Sequence, residues 1–140
     1  MSTIVTRSGK GSPLTHTEVD NNFLNLNADK AGYITGEGGT VTQATSKATA
    51  VTLSKKCGQI TMHNASLAAN TTVTFTLTNS TIAATDLLVL NHVSGGTAGA
   101  YLLNAQAAAG SATINVRNVT AGALAEAIVI GFAVIKAVTA

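Results

Sequence analysis

Charge is what this 140-residue chain has least of. Charged residues make up 10% of it, against about 25% in an ordinary globular chain. An exterior so poor in charge suits a protein partly covered by another copy or by another protein. The net charge is only +2, and the basic residues Arg7, Lys10, Lys30, Lys47, Lys55, Lys56, Arg117 and Lys136 are scattered. No basic stripe exists to release counterions from a phosphate backbone. Aromatic residues are 4%, with no tryptophan, so the stacking platforms of single-strand binders are missing too. Nucleic acid is therefore not expected as a partner.

The groups that carry chemistry are equally sparse. A single cysteine, Cys57, excludes an intrachain disulfide, and its expected role is that of a small buried apolar residue. His16, His63 and His92 lie far apart and lack metal-ligand spacing. Nothing in the sequence brings Glu37, Asp86 and Glu126 into a carboxylate pair, and no serine sits in a nucleophile-elbow pattern. No catalytic residue, metal or cofactor is expected. Long hydrophobic runs are also missing. The most apolar stretch, Ala127 to Ile135, falls far short of the about 20 residues a membrane helix needs. The opening MSTIVTRSGKGSP has no apolar signal core, so no membrane partner is expected. Four Asn-x-Ser/Thr triplets, at Asn64, Asn70, Asn79 and Asn118, arise naturally in a chain rich in these residues and carry no glycosylation message.

What is present divides into three parts: an arm and helix over 1–35, a glycine-rich hinge over 36–39, and a β module over 40–140. Residues 1–12 read as an extended arm, and Pro13 restricts Ser12 to extended geometry. A helix starts near Thr15, where Thr15 and Glu18 fit a capping box. Val19, Phe23 and Leu26 share one helical face, and Leu24 widens it. Lys30 and Gly32 mark the end. Such a short helix is marginal alone and must pack on something.

From Thr40 the period changes to two. In TTVTFTLT, Thr71 to Thr78, apolar Val73, Phe75 and Leu77 alternate with threonines. Further strands are expected over Val51–Ser54, Gln59–His63, Asp86–Val93, Ala100–Ala105, Ala112–Val119 and Ala127–Val138. The fold class is mainly β: an antiparallel β-sandwich or jelly-roll-like module, preceded by an extended N-terminal arm and one short helix. The last strand is apolar on both faces, with Ile128, Ile130, Phe132 and Val134 on one side and Val129, Ala133 and Ile135 on the other. Such a strand is either central and covered from both directions or buried at a subunit contact. The first four are the expected subunit-packing residues.

The segment TRSGKGSPLTHTEVDNNFLNLNADK resembles the N-terminal segment of many bacteriophage virion proteins, both tail-fibre and head-decoration or head-fibre chains. Gly9, Lys10, Gly11, Pro13, Leu14, Thr15, Glu18, Val19, Asp20, Asn22, Phe23, Asn25, Leu26 and Asn27 carry the pattern. The remainder resembles, more loosely, a compact β module that follows such segments. The resemblance implies a non-enzymatic virion component, usually a homotrimer, made in the host cytoplasm. The absence of shaft repeats favours a capsid decoration (cement) protein on the capsid exterior, with the major capsid protein as partner. The alternative is a short tail-fibre or host-recognition module, seated on a tail or baseplate protein. Arg7, Lys10, Pro13, Leu14, Val19, Phe23 and Leu26 are the expected residues of capsid attachment or trimer contact.

Overall fold

The computed structural model describes residues 5–28 and 36–137, and of residues 25–28 the backbone alone. Two helices come first, α1 (Arg7–Lys10) and α2 (His16–Ala28). Eight strands follow: β1 (Thr40–Thr42), β2 (Val51–Thr52), β3 (Cys57–Thr61), β4 (Thr72–Thr78), β5 (Leu87–Ser94), β6 (Tyr101–Ala108), β7 (Ser111–Asn118) and β8 (Val129–Ile135). They form two four-stranded sheets, in the orders β1-β3-β8-β5 and β2-β4-β7-β6. The protein is mainly β and sandwich-like, as the alternation in sequence implied.

The chain passes back and forth between the sheets, and only β6 and β7 follow each other within one sheet. Successive strands reverse direction. Two strands of one sheet separated by a single strand of the other therefore run the same way. That makes β1–β3 and β2–β4 parallel, while β3–β8, β5–β8, β4–β7 and β6–β7 are antiparallel. The wholly antiparallel expectation fails at these two short edge strands. Local pattern cannot register it, because direction depends on which sheet each strand joins.

The core lies between the sheets. Phe75 and Leu77 of β4 and Ile114 and Val116 of β7 face Ile60, Ile130, Phe132 and Val134 of the other sheet, all buried. One expectation is corrected here. Ile128, Ile130, Phe132 and Val134 are core residues of the single chain, so that face of β8 is not open to a second copy. The hydrophobic effect uses the nearest apolar layer, and the opposite sheet supplies it. The uncovered face of β8 is the other one, ending in exposed Ile135.

Each end of the sandwich is closed by a buried asparagine. Asn79 follows β4, and Asn118 ends β7 at the opposite end of the same strand pair. The Asn79 Oδ1 accepts from Thr81 N (2.9 Å) and Thr81 Oγ1 (2.8 Å), and its Nδ2 donates to Lys55 O at 2.7 Å. Asn118 repeats the pattern with Thr120 N (2.9 Å) and Oγ1 (2.7 Å). Its Nδ2 lies 3.1, 3.2 and 2.8 Å from the carbonyls of Leu67, Ala68 and Gly122. Two of the four sequons are thus turn locks, with amides fully enclosed.

The segment expected as a hinge is partly built into the module. Gln59 N donates to Gly39 O at 2.9 Å. A Cβ on Gly39 would lie 2.8 Å from Leu53 Cδ1, so glycine there serves close approach. Lys30, Gly32 and Val138, placed at element ends from sequence, lie outside the described residues.

Two tests of this architecture follow from burial. In urea titrations, Ile130→Ala is expected to cost about 2–5 kcal/mol of stability. On the opposite face, Ile135→Ala should cost under ~1 kcal/mol. Equal losses would mean that the two faces of β8 are not divided in this way. Asn118→Ala removes the buried amide that serves the carbonyls of Leu67, Ala68 and Gly122 and is expected to cost about 2 kcal/mol. Asn64→Ala, an exposed sequon position, should leave the melting temperature unchanged.

Candidate attachment site

The arm is not simply extended. Thr6 caps a single helical turn, its Oγ1 accepting from Gly9 N at 3.0 Å. Gly11 ends the turn at φ 73°, a left-handed conformation that favours glycine. The expected extended arm is corrected to this extent: within residues 1–12, Arg7–Lys10 are helical. The cause is local, since cap, turn and stop all lie within six residues of sequence.

The turn is tied to α2. The expected capping box is present, with Glu18 N donating to Thr15 Oγ1 (3.3 Å) and Thr15 N donating to Glu18 Oε2 (2.7 Å). Lys10 Nζ reaches the same carboxylate oxygen at 2.5 Å. One turn further on, Asn22 grips the backbone of Val5 from both sides. Val5 N donates to Asn22 Oδ1 (2.8 Å), and Asn22 Nδ2 donates to Val5 O (2.7 Å). Lys10, Gly11, Thr15, Glu18 and Asn22 therefore brace the segment internally. Sequence reasoning found the capping box but missed the Asn22 grip, whose partner is 17 residues away.

Other described side chains of the segment face outward. Phe23 is 69% exposed and Leu24 65% exposed, with Val19 exposed beside them. Arg7 and Pro13 are exposed and Leu14 is half-buried. Leu26 lies in α2, but its side chain is outside the described residues. Among the described residues no close contact joins α2 to a strand. The apolar stripe is thus presented and uncovered. Of the expected attachment residues, Lys10 turns inward to Glu18, while Arg7, Pro13, Val19 and Phe23 remain available.

The module's own titratable groups fasten loops. Lys47 is buried and donates to His63 O (2.7 Å) and Glu126 O (2.5 Å). Burial pushes its ammonium below the usual lysine range, partly offset by the Glu126 charge. The Glu126 carboxylate holds the turn after β5. It accepts from Thr97 Oγ1 (2.6 Å), Thr97 N (3.0 Å) and Tyr101 OH (2.8 Å), and these bonds lower its pKa. Burial, then the Glu126 contact, pushes the Tyr101 phenol up. At the other end, burial alone would raise Asp86. The Ala83 N–H and the Lys136 ammonium, the latter 2.6 Å away, outweigh it and lower the carboxyl. Among the described residues no cluster of His, Cys, Asp or Glu could hold a metal ion.

No family model, curated protein or solved structure matches this chain.

The outer surfaces of the two sheets differ. On the β2-β4-β7-β6 sheet, Thr74 Oγ1 donates to Asn115 Oδ1 (2.6 Å), and Asn115 Nδ2 donates to Asn104 Oδ1 (2.7 Å). This is an exposed polar ladder across three strands. The other sheet carries exposed Leu87, Val89, Val93 and Ile135 on its outer face. Beside them lies an open trough of about 550 Å³ with Gly131, Ala133, Cys57 and Gln59 in its lining.

The brace has a testable pH dependence. Lys10 foremost, then the Thr15 N–H, holds Glu18 at a pKa of about 2, below its ordinary value of 4.5. A lowered carboxylate pKa stabilises the folded segment fully above pH 4.5, and that contribution is lost as pH falls towards about 2. The Thr15 amide resonance is expected to shift through that window. Glu18→Gln should abolish the step, and a step surviving in that variant would assign it to another group.

Proposed function

We propose that this protein is a non-enzymatic structural component of a bacteriophage virion, a capsid decoration (cement) protein. In this reading it binds the outer head surface through its N-terminal segment and projects its β module outward. The observation that supports it most directly is the braced segment of residues 5–24. A lone helix this short would fray in water, yet this one is tied to its arm at Val5, Lys10 and Thr15. The brace fixes the shape of a unit that leaves Phe23, Leu24 and Val19 uncovered. A preorganised apolar stripe lowers the ordering cost of docking. The major capsid protein is the proposed partner, and a homotrimer is the proposed assembly.

A cement protein stabilises by mass action, because it binds the assembled shell and not free shell subunits. Such a role asks for a compact, inert outer module. The polar ladder of Thr74, Asn115 and Asn104, with Arg117 as the one charge on the outward strand positions of that sheet, offers a face of that kind. The same ladder, together with the exposed turn over 95–99, also suits a second reading, a short tail-fibre or host-recognition module. There the outer surface would contact a receptor or glycan.

Binding of the purified protein to separated phage heads and tails, with particles lacking it as acceptors, distinguishes the two. The expected result is saturable binding to heads with a gain in heat resistance. Phe23→Ala should weaken that binding about tenfold or more while leaving the β module's melting unchanged. Binding only to tails or to host cells would move the protein to the fibre class. Head binding undiminished in Phe23→Ala would remove the stripe from the mechanism.

A further inference from the structure

We infer that the outward face of the β1-β3-β8-β5 sheet is a contact surface between copies of this chain. The inference is independent of where the N-terminal segment attaches. It begins with the unusual strand β8, which is apolar on both faces. One face is consumed by the core. The other continues across β5 as exposed Leu87 (61%), Val89 (52%), Val93 and Ile135. Leu87 pairs directly with Ile135, and Val89 with Ala133, so these side chains are adjacent and form one patch. With Val129 and Ala133 it covers on the order of 400 Å², within the range of the largest apolar patch on a typical monomer, which is often functional.

The chemistry of the face selects the occupant. Outward positions on the four strands are apolar, hydroxyl or amide, including Thr40, Thr61, Gln59 and Asn91, and none is charged. A charged partner finds nothing here to pair with. A second copy meets apolar surface with apolar surface and brings no like-charge repulsion.

Shape points the same way. Leu87 and Val89 of β5 stand as a ridge with Ile135, the β8 partner of Leu87. Beside it, the absence of a side chain at Gly131 leaves the trough of about 550 Å³. A Cβ at Gly131 would lie 2.7 Å from Val93 Cγ2, so a side chain there would have to displace Val93. A surface with ridge and trough side by side can engage a second copy about a twofold axis or head to tail, one copy's ridge entering the other's trough. Two such patches together cover roughly 800 Å² of apolar surface, and the polar rim carries the total towards the ~1,200 Å² at which specific interfaces begin. The contact closes as a twofold pair or as a ring of three.

The test is sedimentation velocity on the full chain over a wide concentration range. The wild type is expected to sediment as a dimer or trimer of the 14.0 kDa chain, and either mass supports the inference. Val89→Lys should weaken association at least about tenfold with an unchanged far-ultraviolet spectrum. Thr76→Lys, on the outer face of the other sheet, and Phe23→Ala, on α2, should assemble as the wild type does. If Val89→Lys fails to fold, Asn91→Lys carries the same test at an exposed position that costs no apolar packing. A monomeric wild type, a folded lysine variant that still assembles, or dissociation by Phe23→Ala would each overturn the assignment.

Discussion

The β module depends on closing the two ends of its sandwich without leaving buried backbone groups unpaired. The sheets supply an apolar interior, but a chain that crosses between them at almost every turn must bury loop carbonyls at both rims. Asn79 and Asn118 meet that demand, each with an amide bonded on both sides. Buried ionisable groups do the same work where an amide does not reach. The Lys47 ammonium bonds two loop carbonyls, and Asp86 binds the Ala83 amide while paired with Lys136. Among the described residues no buried side-chain polar atom lacks a partner. Few charges are present, and several of them fasten the fold, which leaves the outer faces almost neutral.

That distribution shapes both uncovered surfaces. A neutral exterior tolerates exposed apolar residues only where something covers them or where polar neighbours break them up. The Thr-Asn ladder breaks up one sheet. The other sheet and the α2 stripe are not broken up, and they lie on separate parts of the chain with no close contact between strand and helix. Two surfaces of this kind suit two different contacts, one for attachment and one for self-association.

Much of this was legible in the sequence because it is local. Alternation in TTVTFTLT gave β4 and its inward Val73, Phe75 and Leu77. Thr15 and Glu18 gave the start of α2. The double-sided character of Ala127 to Ile135 marked β8 as a strand with a second apolar face beyond the one the core takes up. What could not be read is what depends on distance. The parallel edges β1 and β2 follow from the order of crossings between sheets. Which face of β8 meets the core follows from register, and a shift of one residue exchanges the faces. That is why Ile128, Ile130, Phe132 and Val134 belong to the interior and the subunit contact is sought on the opposite face. The turn locks at Asn79 and Asn118 were visible as Asn-x-Thr but read as chance sequons. The Asx-turn habit of asparagine was the signal that could have identified them.

The N-terminal segment shows why a motif can look like a contact list and be something else. Sequence treats Lys10 as a basic residue free to meet a partner. The structure makes it the counter-ion of Glu18 and part of a brace with Asn22. The polar residues of the motif hold the shape, and the apolar ones are displayed by it. Substituting a bracing residue should therefore act on docking indirectly, through the order of the segment. Substituting Phe23 would act on the proposed docking surface itself. A segment whose polar pattern is tied to internal geometry can keep that pattern while its apolar stripe adapts to different partners.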